Sequence, residues 1–315
     1  MTRLPYRSYS DYLTRRYGQK VYKLPIKLAG SCPNRDGTIG EGGCDFCSEE
    51  GGSFENLPTT LSVREQIRVN REYIEKKYKA KLFIAYFQNY TNTYMTDDAF
   101  QSAISEALEE EVVALYISTR PDSITDGQLA FLSELQREKG VDVVMELGLQ
   151  TANYHILYGI NRGHGIAEFV HGVLRCKAAG LGTCVHVLIG LPGDEDLDAV
   201  ETAKLISVLG VDQVKLHALY ITEGSKFAEQ FVQGELSLIE KETFIQRAIL
   251  FLRHLDREIV IQRLLGRSPE EISLFSNWGS SWWVIRDEII ERMIADRMEQ
   301  GDHCDYLKPK VCGHK

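Results

Sequence analysis

Residues 112–150, VVALYISTRPDSITDGQLAFLSELQREKGVDVVMELGLQ, contain one complete strand, helix and strand. Val112 to Ser118 is a short run of β-branched, aromatic and aliphatic residues, the composition of a strand. Thr125 then stands as a helix cap before DGQLAFLSELQREKG. Val141 to Leu147 makes a second apolar strand. This alternation is the pattern of βα units around a parallel sheet.

The same alternation extends in both directions. Further strands are expected at Val21 to Leu28, Leu82 to Phe87, Thr183 to Ile189 and Gln213 to Tyr220, with helix caps at Ser62, Thr96 and Asp194. Six βα units are too few for a closed eight-stranded barrel. The expected fold is therefore α/β, a partial (β/α)6 TIM-like barrel over residues 1–236, with a doubly wound sheet as second choice. From 237 to 315 the sequence turns helix-rich and reads as a C-terminal cap, with one added strand at Ile259 to Gln262.

Ligands of parallel βα architectures bind where strands run out into loops. The strands here end in QNYTNT (Gln88 to Thr93), STRPD (Ser118 to Asp122), ELGLQT (Glu146 to Thr151), IGLPGDE (Ile189 to Glu195) and KLHALY (Lys215 to Tyr220). After the first strand comes SCPNRDGTIGEGGCDFCSEEGG, Ser31 to Gly52, holding Cys32, Cys44 and Cys47. All are polar or glycine-rich, as one site at one barrel mouth would be. Clustered thiolates suit soft iron or zinc, and the glycines let a loop wrap closely around a metal centre. A closed structural zinc site takes four protein ligands, and no fourth Cys or His follows within the next hundred residues. Three ligands leave one position open for chemistry; a zinc site completed by a distant histidine is the bland alternative.

The chain has 315 residues, 43% hydrophobic and 26% charged, and a formal net charge of -9. No apolar run approaches the roughly 20 residues of a membrane span, so a cytoplasmic protein with no membrane partner is expected. Seven cysteines, an odd number, argue against a disulfide framework. Charge is unevenly spread. Arg3 to Lys27 carries seven basic residues against the single acid Asp11, with five tyrosines interleaved. Arg7, Arg15, Arg16, Lys20 and Lys23 are thus candidate RNA contacts. The alternative is a solvated helix whose tyrosines pack on the barrel.

With Phe46 inside its last pair, the cysteine set resembles the cluster loop of the radical S-adenosylmethionine (radical SAM) superfamily, its first gap widened to eleven residues. TRPD (Thr119 to Asp122), ELGLQT, NRGH (Asn161 to His164), GLPG (Gly190 to Gly193) and KLHALYITEGS (Lys215 to Ser225) resemble the Elp3-like branch and its YhcC/YtqA-type bacterial members. The resemblance implies that Cys32, Cys44 and Cys47 hold three irons of a [4Fe-4S] cluster and that SAM chelates the fourth. It implies reductive cleavage of SAM to a 5′-deoxyadenosyl radical that abstracts hydrogen from substrate, with an electron donor such as flavodoxin or ferredoxin.

By position, Phe46 lies at the cofactor. Gln88, Asn89 and Thr91 replace the family's Gly-Gly-Glu-type segment and would receive the SAM amino group. Glu146 and Gln150 would bind ribose hydroxyls or the amine, Arg162 the SAM carboxylate, and backbone from Leu188 to Gly190 the adenine. For Glu146 the alternative is an interior carboxylate satisfied by Lys215. Arg120, Asp122, His164, His186, Lys215 and His217 are expected catalytic or substrate contacts. The implied substrate is a wobble-uridine side chain in tRNA; a small-molecule or protein substrate, and a non-catalytic zinc-stabilised RNA-binding module, are the alternatives. Cys176 and Cys184 are expected as buried thiols, Cys304 and Cys312 as candidates for a separate metal site, and the tryptophans of NWGSSWW (Asn277 to Trp283) as a buried lid or base-stacking group.

Overall fold

The computed structural model describes residues 3–48, 57–109, 111–268 and 270–308. Six strands pair in parallel and in chain order: β1 (Val21–Ile26), β2 (Leu82–Phe87), β3 (Val112–Thr119), β4 (Asp142–Gln150), β5 (Gly182–Ile189) and β6 (Gln213–Ala218). The chain continues into β7 (Ile221–Thr222), β8 (Val260–Arg263) and β9 (Ser273–Phe275). β8 pairs in parallel with β6, and β7 with β9 in a separate antiparallel ribbon. The sheet is thus seven-stranded, a partial barrel with one strand more than the six expected. The extra strand is the one foreseen at Ile259 to Gln262; at four residues it carries too little pattern to announce a further βα unit.

Helices α1 (Tyr9–Tyr17), α2 (Val63–Tyr78), α3 (Asp97–Glu106), α4 (Asp126–Lys139), α5 (Tyr154–Gly159), α6 (Ile166–Ala178), α7 (Asp196–Val208), α8 (Lys226–Val232), α9 (Lys241–His254) and α10 (Trp282–Ala295) complete the chain. Ser62, Thr96 and Thr125 cap α2, α3 and α4 as expected, each hydroxyl accepting a backbone N–H. The cap of α7 is Glu195, one residue later than expected, because the Asp194 carboxylate is taken by the Gly190 N–H at 2.7 Å.

Side chains alternate between two environments along each strand. Phe83, Ala85, Phe87, Leu115, Ile117, Val143, Met145 and Leu147 point outward and join the helices in the main core. Ile84, Tyr86, Ala114, Tyr116, Val144 and Cys184 face inward and pack against Leu13, Tyr9, Tyr12 and Tyr17 of α1. α1 therefore plugs the end of the barrel where the strands begin. The preceding residues cover the free edge of β8: the Ile261 N–H donates to Arg7 O at 2.9 Å. Gln300 ties the two ends of the chain together, its backbone N–H donating to Pro5 O and its Oε1 accepting from the Arg7 N–H.

Candidate active site

The cysteine loop leaves β1 and is folded by its own backbone. The N–H groups of Arg35 and Asp36 both donate to Cys32 O, and that of Cys47 donates to Cys44 O. The Asn161 to His164 segment after α5 clamps it from outside. Asn34 Nδ2 donates to Asn161 O at 2.6 Å, Asn161 Nδ2 to Gly43 O at 2.8 Å, and the Asp45 N–H to Ile160 O at 3.0 Å. This packing requires a glycine at 163, where φ is +70° and a Cβ would lie 2.2 Å from Asn34 Oδ1. Arg162 spans loop and sheet, placing Nη1 3.4 Å from Cys44 Sγ and donating through Nη2 to Gly148 O.

A cavity of about 600 Å³ opens at the ends of the strands, a volume typical of cofactor and small-ligand sites. Of the metal, cofactor and catalytic candidates, all except Gly190, Asp122 and His164 line it. Burial, and then the neighbouring Cys44 and Cys32, push the Cys47 thiol up to about 11. A shared cation would reverse that by taking the sulfurs as thiolates. On the wall after β2, both amide atoms of Asn89 and the Thr91 hydroxyl are buried without a partner among the described residues. An orphaned buried polar group costs about 1–3 kcal/mol, so this wall is shaped for a polar ligand. Asn89 (φ +83°) and Tyr90 (φ +48°) hold it in left-handed backbone, a conformation that costs non-glycine residues energy.

Below the cavity lies a buried polar hub. Glu146, with no exposed side-chain surface, accepts from Lys23 at 3.0 Å, Ser118 Oγ at 3.1 Å, His186 Nε2 at 3.0 Å and Lys215. Burial alone would raise its carboxyl, but the Lys215 and Lys23 ammonium groups and the His186 hydrogen bond outweigh that and hold it well below its usual range. Glu146 thus has its acceptor sites occupied inside the protein and stands as the interior carboxylate of the alternative reading, not as a free ligand for SAM. Burial lowers His186 to about 4 and Lys23 to about 8. Glu146, Cys184 and His186 offer ligand atoms within 4.8 Å of one another, but two ammonium groups on that carboxylate oppose a cation there.

Several other candidates are placed differently from expectation. Arg120 gives Nε and Nη2 to Asp122 and Nη1 to Arg162 O, so this pair braces the NRGH loop while Arg120 stays on the cavity wall and Asp122 lies off it. Arg162 itself is occupied by Cys44 and Gly148, leaving only Nε unpartnered among the described residues. His164 is buried outside the cavity, and burial together with Arg162 and Arg120 lowers it to about 3. Gly190 is likewise off the cavity wall. Lys23 points into the barrel, its ammonium 4.2 Å from the Tyr86 ring centroid and 4.4 Å from that of Tyr116, and is not a surface RNA contact. Arg16 and Tyr17 hold Asp142, while Arg7 pairs with Glu258. Arg15 and Lys20 are exposed, but they sit with α1 at the start of the strands. Asp142 opens β4 and Gln150, at its other end, lines the cavity; eight steps at about 3.3 Å separate basic face and mouth by roughly 26 Å.

The sequence reading missed Asn34, Tyr86, Arg263 and Arg267. The last three line the cavity, the arginines being exposed. Tyr86 sits in inward phase on a strand already recognised, so alternation alone would have found it. Cys176 and Cys184 are buried in α6 and β5, as expected of packing thiols, and Cys312 lies outside the described residues. Trp278 donates Nε1 to Ile239 O and packs against Phe244 and Phe275, as a lid residue would; Trp282 and Trp283 are exposed.

Comparison with known proteins bears on this arrangement. A family model of the radical SAM superfamily matches residues 32–206, starting at Cys32. The chain belongs to the radical SAM superfamily. The radical SAM C-terminal domain matches residues 211–295. Protein YhcC of Escherichia coli (strain K12) is 36% identical over 291 residues, 92% of each chain. YtqA of Bacillus subtilis (strain 168) is 31% identical over 304 residues, 96% of this chain and 94% of that one. A tRNA uridine(34) acetyltransferase of Methanocaldococcus jannaschii is 28% identical over 146 residues, 45% of this chain and 26% of its own. The fold is also that of Methanocaldococcus infernus Elp3 lacking its N-terminus, with a TM-score of 0.66 at 17% identity over 89% of this chain and 64% of that one. Radical SAM proteins use a [4Fe-4S] cluster and SAM. The residues present fit both: three thiols on one cavity wall for iron, and unpartnered amide and hydroxyl atoms for a polar cofactor. Among the described residues no helix is long and apolar enough to cross a membrane.

Proposed function

We propose that this radical SAM enzyme acts on RNA, remodelling the side chain of a wobble uridine in tRNA. The observation that carries the reading is the single cavity in which the three thiols and the unpartnered Asn89 and Thr91 share walls with the Lys215 and His217 side chains. Cys32, Cys44 and Cys47 would hold the cluster, with Gln88, Asn89, Thr91, Gln150 and backbone near Leu188 around SAM. When bound, the pair supplies one-electron cleavage of SAM and a 5′-deoxyadenosyl radical able to take hydrogen from carbon. The protein's part is to fix and shield. Arg162 holds the Cys44 sulfur, Phe46 lines the cavity between the two cysteines, and the Glu146 hub closes its floor against bulk water. An electron donor such as a flavodoxin or ferredoxin belongs to this reading.

The substrate assignment is supported by the stretch shared with the tRNA uridine(34) acetyltransferase and by the exposed Arg263 and Arg267 lining the cavity, which would meet phosphates. The net charge of -9 and the remoteness of the N-terminal basic face favour a small-molecule substrate as second reading. The test is to reconstitute the cluster anaerobically, add reductant, SAM and tRNA from a deletion strain, and follow 5′-deoxyadenosine and tRNA nucleosides by mass spectrometry. The expected result is deoxyadenosine together with an altered uridine; an unchanged nucleoside profile would sink the tRNA assignment.

A further inference from the structure

Arg162 is 6% exposed, and among the described residues no carboxylate makes an ion pair with it; Asp122 is taken by Arg120. A guanidinium keeps its charge at any working pH, so burying it against neutral groups alone is costly. Two of its nitrogens are held, Nη2 donating to Gly148 O at 2.8 Å and Nη1 to Cys44 Sγ at 3.4 Å. The first contact needs a residue without a side chain, since a Cβ at Gly148 would lie 2.6 Å from Nη2. The backbone behind the guanidinium is fixed as well, by Arg120 Nη1 on Arg162 O at 2.9 Å. Asn34 Nδ2 stands 3.7 Å from the same sulfur. A thiolate at Cys44 makes the Arg162 contact a charge-assisted hydrogen bond and supplies the missing countercharge. Hydrogen bonds to the sulfurs and nearby charge are levers on the reduction potential of an iron–sulfur cluster. Reduction adds one electron and makes the cluster with its thiolates more negative, so a cation held against one of them favours the reduced state.

We infer that Arg162 raises the reduction potential of the cluster by giving an N–H to the Cys44 sulfur, with Gly148 O and Arg120 holding it in place. The electron comes from the reduced flavodoxin or ferredoxin, which loses it as the cluster gains it. This role differs from the pairing with the SAM carboxylate expected from the sequence, and it needs no SAM. It rests on Cys44 as an iron ligand and is independent of the tRNA assignment.

The test is the midpoint potential of the cluster-reconstituted protein without SAM, read by electron paramagnetic resonance in a mediated reductive titration. Arg162→Gln keeps a polar side chain and removes the charge. Reduction is expected to become about tenfold less favourable, a midpoint ~59 mV lower. Gly148→Ala keeps the arginine in the chain but displaces Nη2, and should lower the midpoint in the same direction. A reduction constant within twofold of wild type in Arg162→Gln, or a larger one, would overturn the inference. An unmoved midpoint together with weakened SAM binding would assign the residue to the SAM carboxylate instead. If Arg162→Gln takes up no iron, Gly148→Ala decides by the same criterion, and failure of both to load would overturn the inference by making Arg162 a builder of the site. A wild type that binds no iron sinks the cluster reading and this inference together, whereas an unaltered tRNA profile with the midpoint lowered discards only the tRNA substrate.

Discussion

At the scale of single residues, the molecule places a single carboxylate between two lysines. Glu146 is fully buried, and removing its charge leaves the Lys23 and Lys215 ammonium groups facing each other across low-dielectric space. Glu146→Gln should therefore cost about 3–5 kcal/mol of stability by denaturant unfolding, and pairing it with Lys215→Met should recover a good part. A loss below about 1 kcal/mol would show that the carboxylate is not what holds those lysines. The residue type was legible in ELGLQT; its partner Lys23 was not. Lys23 lies in a run of surface-like basic residues, and only the inward phase of β1, shared with Val21, separates it from Arg15 and Lys20.

At the scale of elements, the cysteine loop depends on the loop that clamps it. Gly163 is left-handed and abuts Asn34, so Gly163→Ala should push the clamp away from Cys44. Iron bound per chain after reconstitution is expected to fall at least severalfold with little change in far-UV circular dichroism; full iron loading would contradict the coupling. Cys44→Ala should abolish the brown colour and charge-transfer absorption of anaerobically purified protein, and a colourless wild type would instead favour a zinc site. Helix α1 is tied down at Asp142. Burial raises that carboxyl, but the hydrogen bonds from Arg16 and Tyr17 outweigh it and leave it below its usual range. Its stabilising share is present above about pH 4 and is lost as pH falls through the folded value; Asp142→Asn should flatten that part of an acid-unfolding curve. The βα units and their caps could be read from local patterning because each is set within a dozen residues. The clamp could not, since it joins positions more than a hundred residues apart.

At the scale of the whole molecule, the basic face of α1 and the cavity lie at opposite ends of the barrel. Arg15→Ala with Lys20→Ala should leave the KM for tRNA within about twofold, whereas Arg263→Ala with Arg267→Ala should raise it and flatten its dependence on salt. The reverse result would put the RNA on the α1 face. The same geometry bears on the order of biosynthesis. β8 receives its outer hydrogen bond from the segment around Arg7, and Gln300 secures that segment in turn. On a ribosome the segment around Arg7 must therefore wait, without its partners, until β8 and Gln300 have emerged. The barrel end closes only after those later residues are made, which leaves the nascent chain open while its cysteine loop is already outside the tunnel.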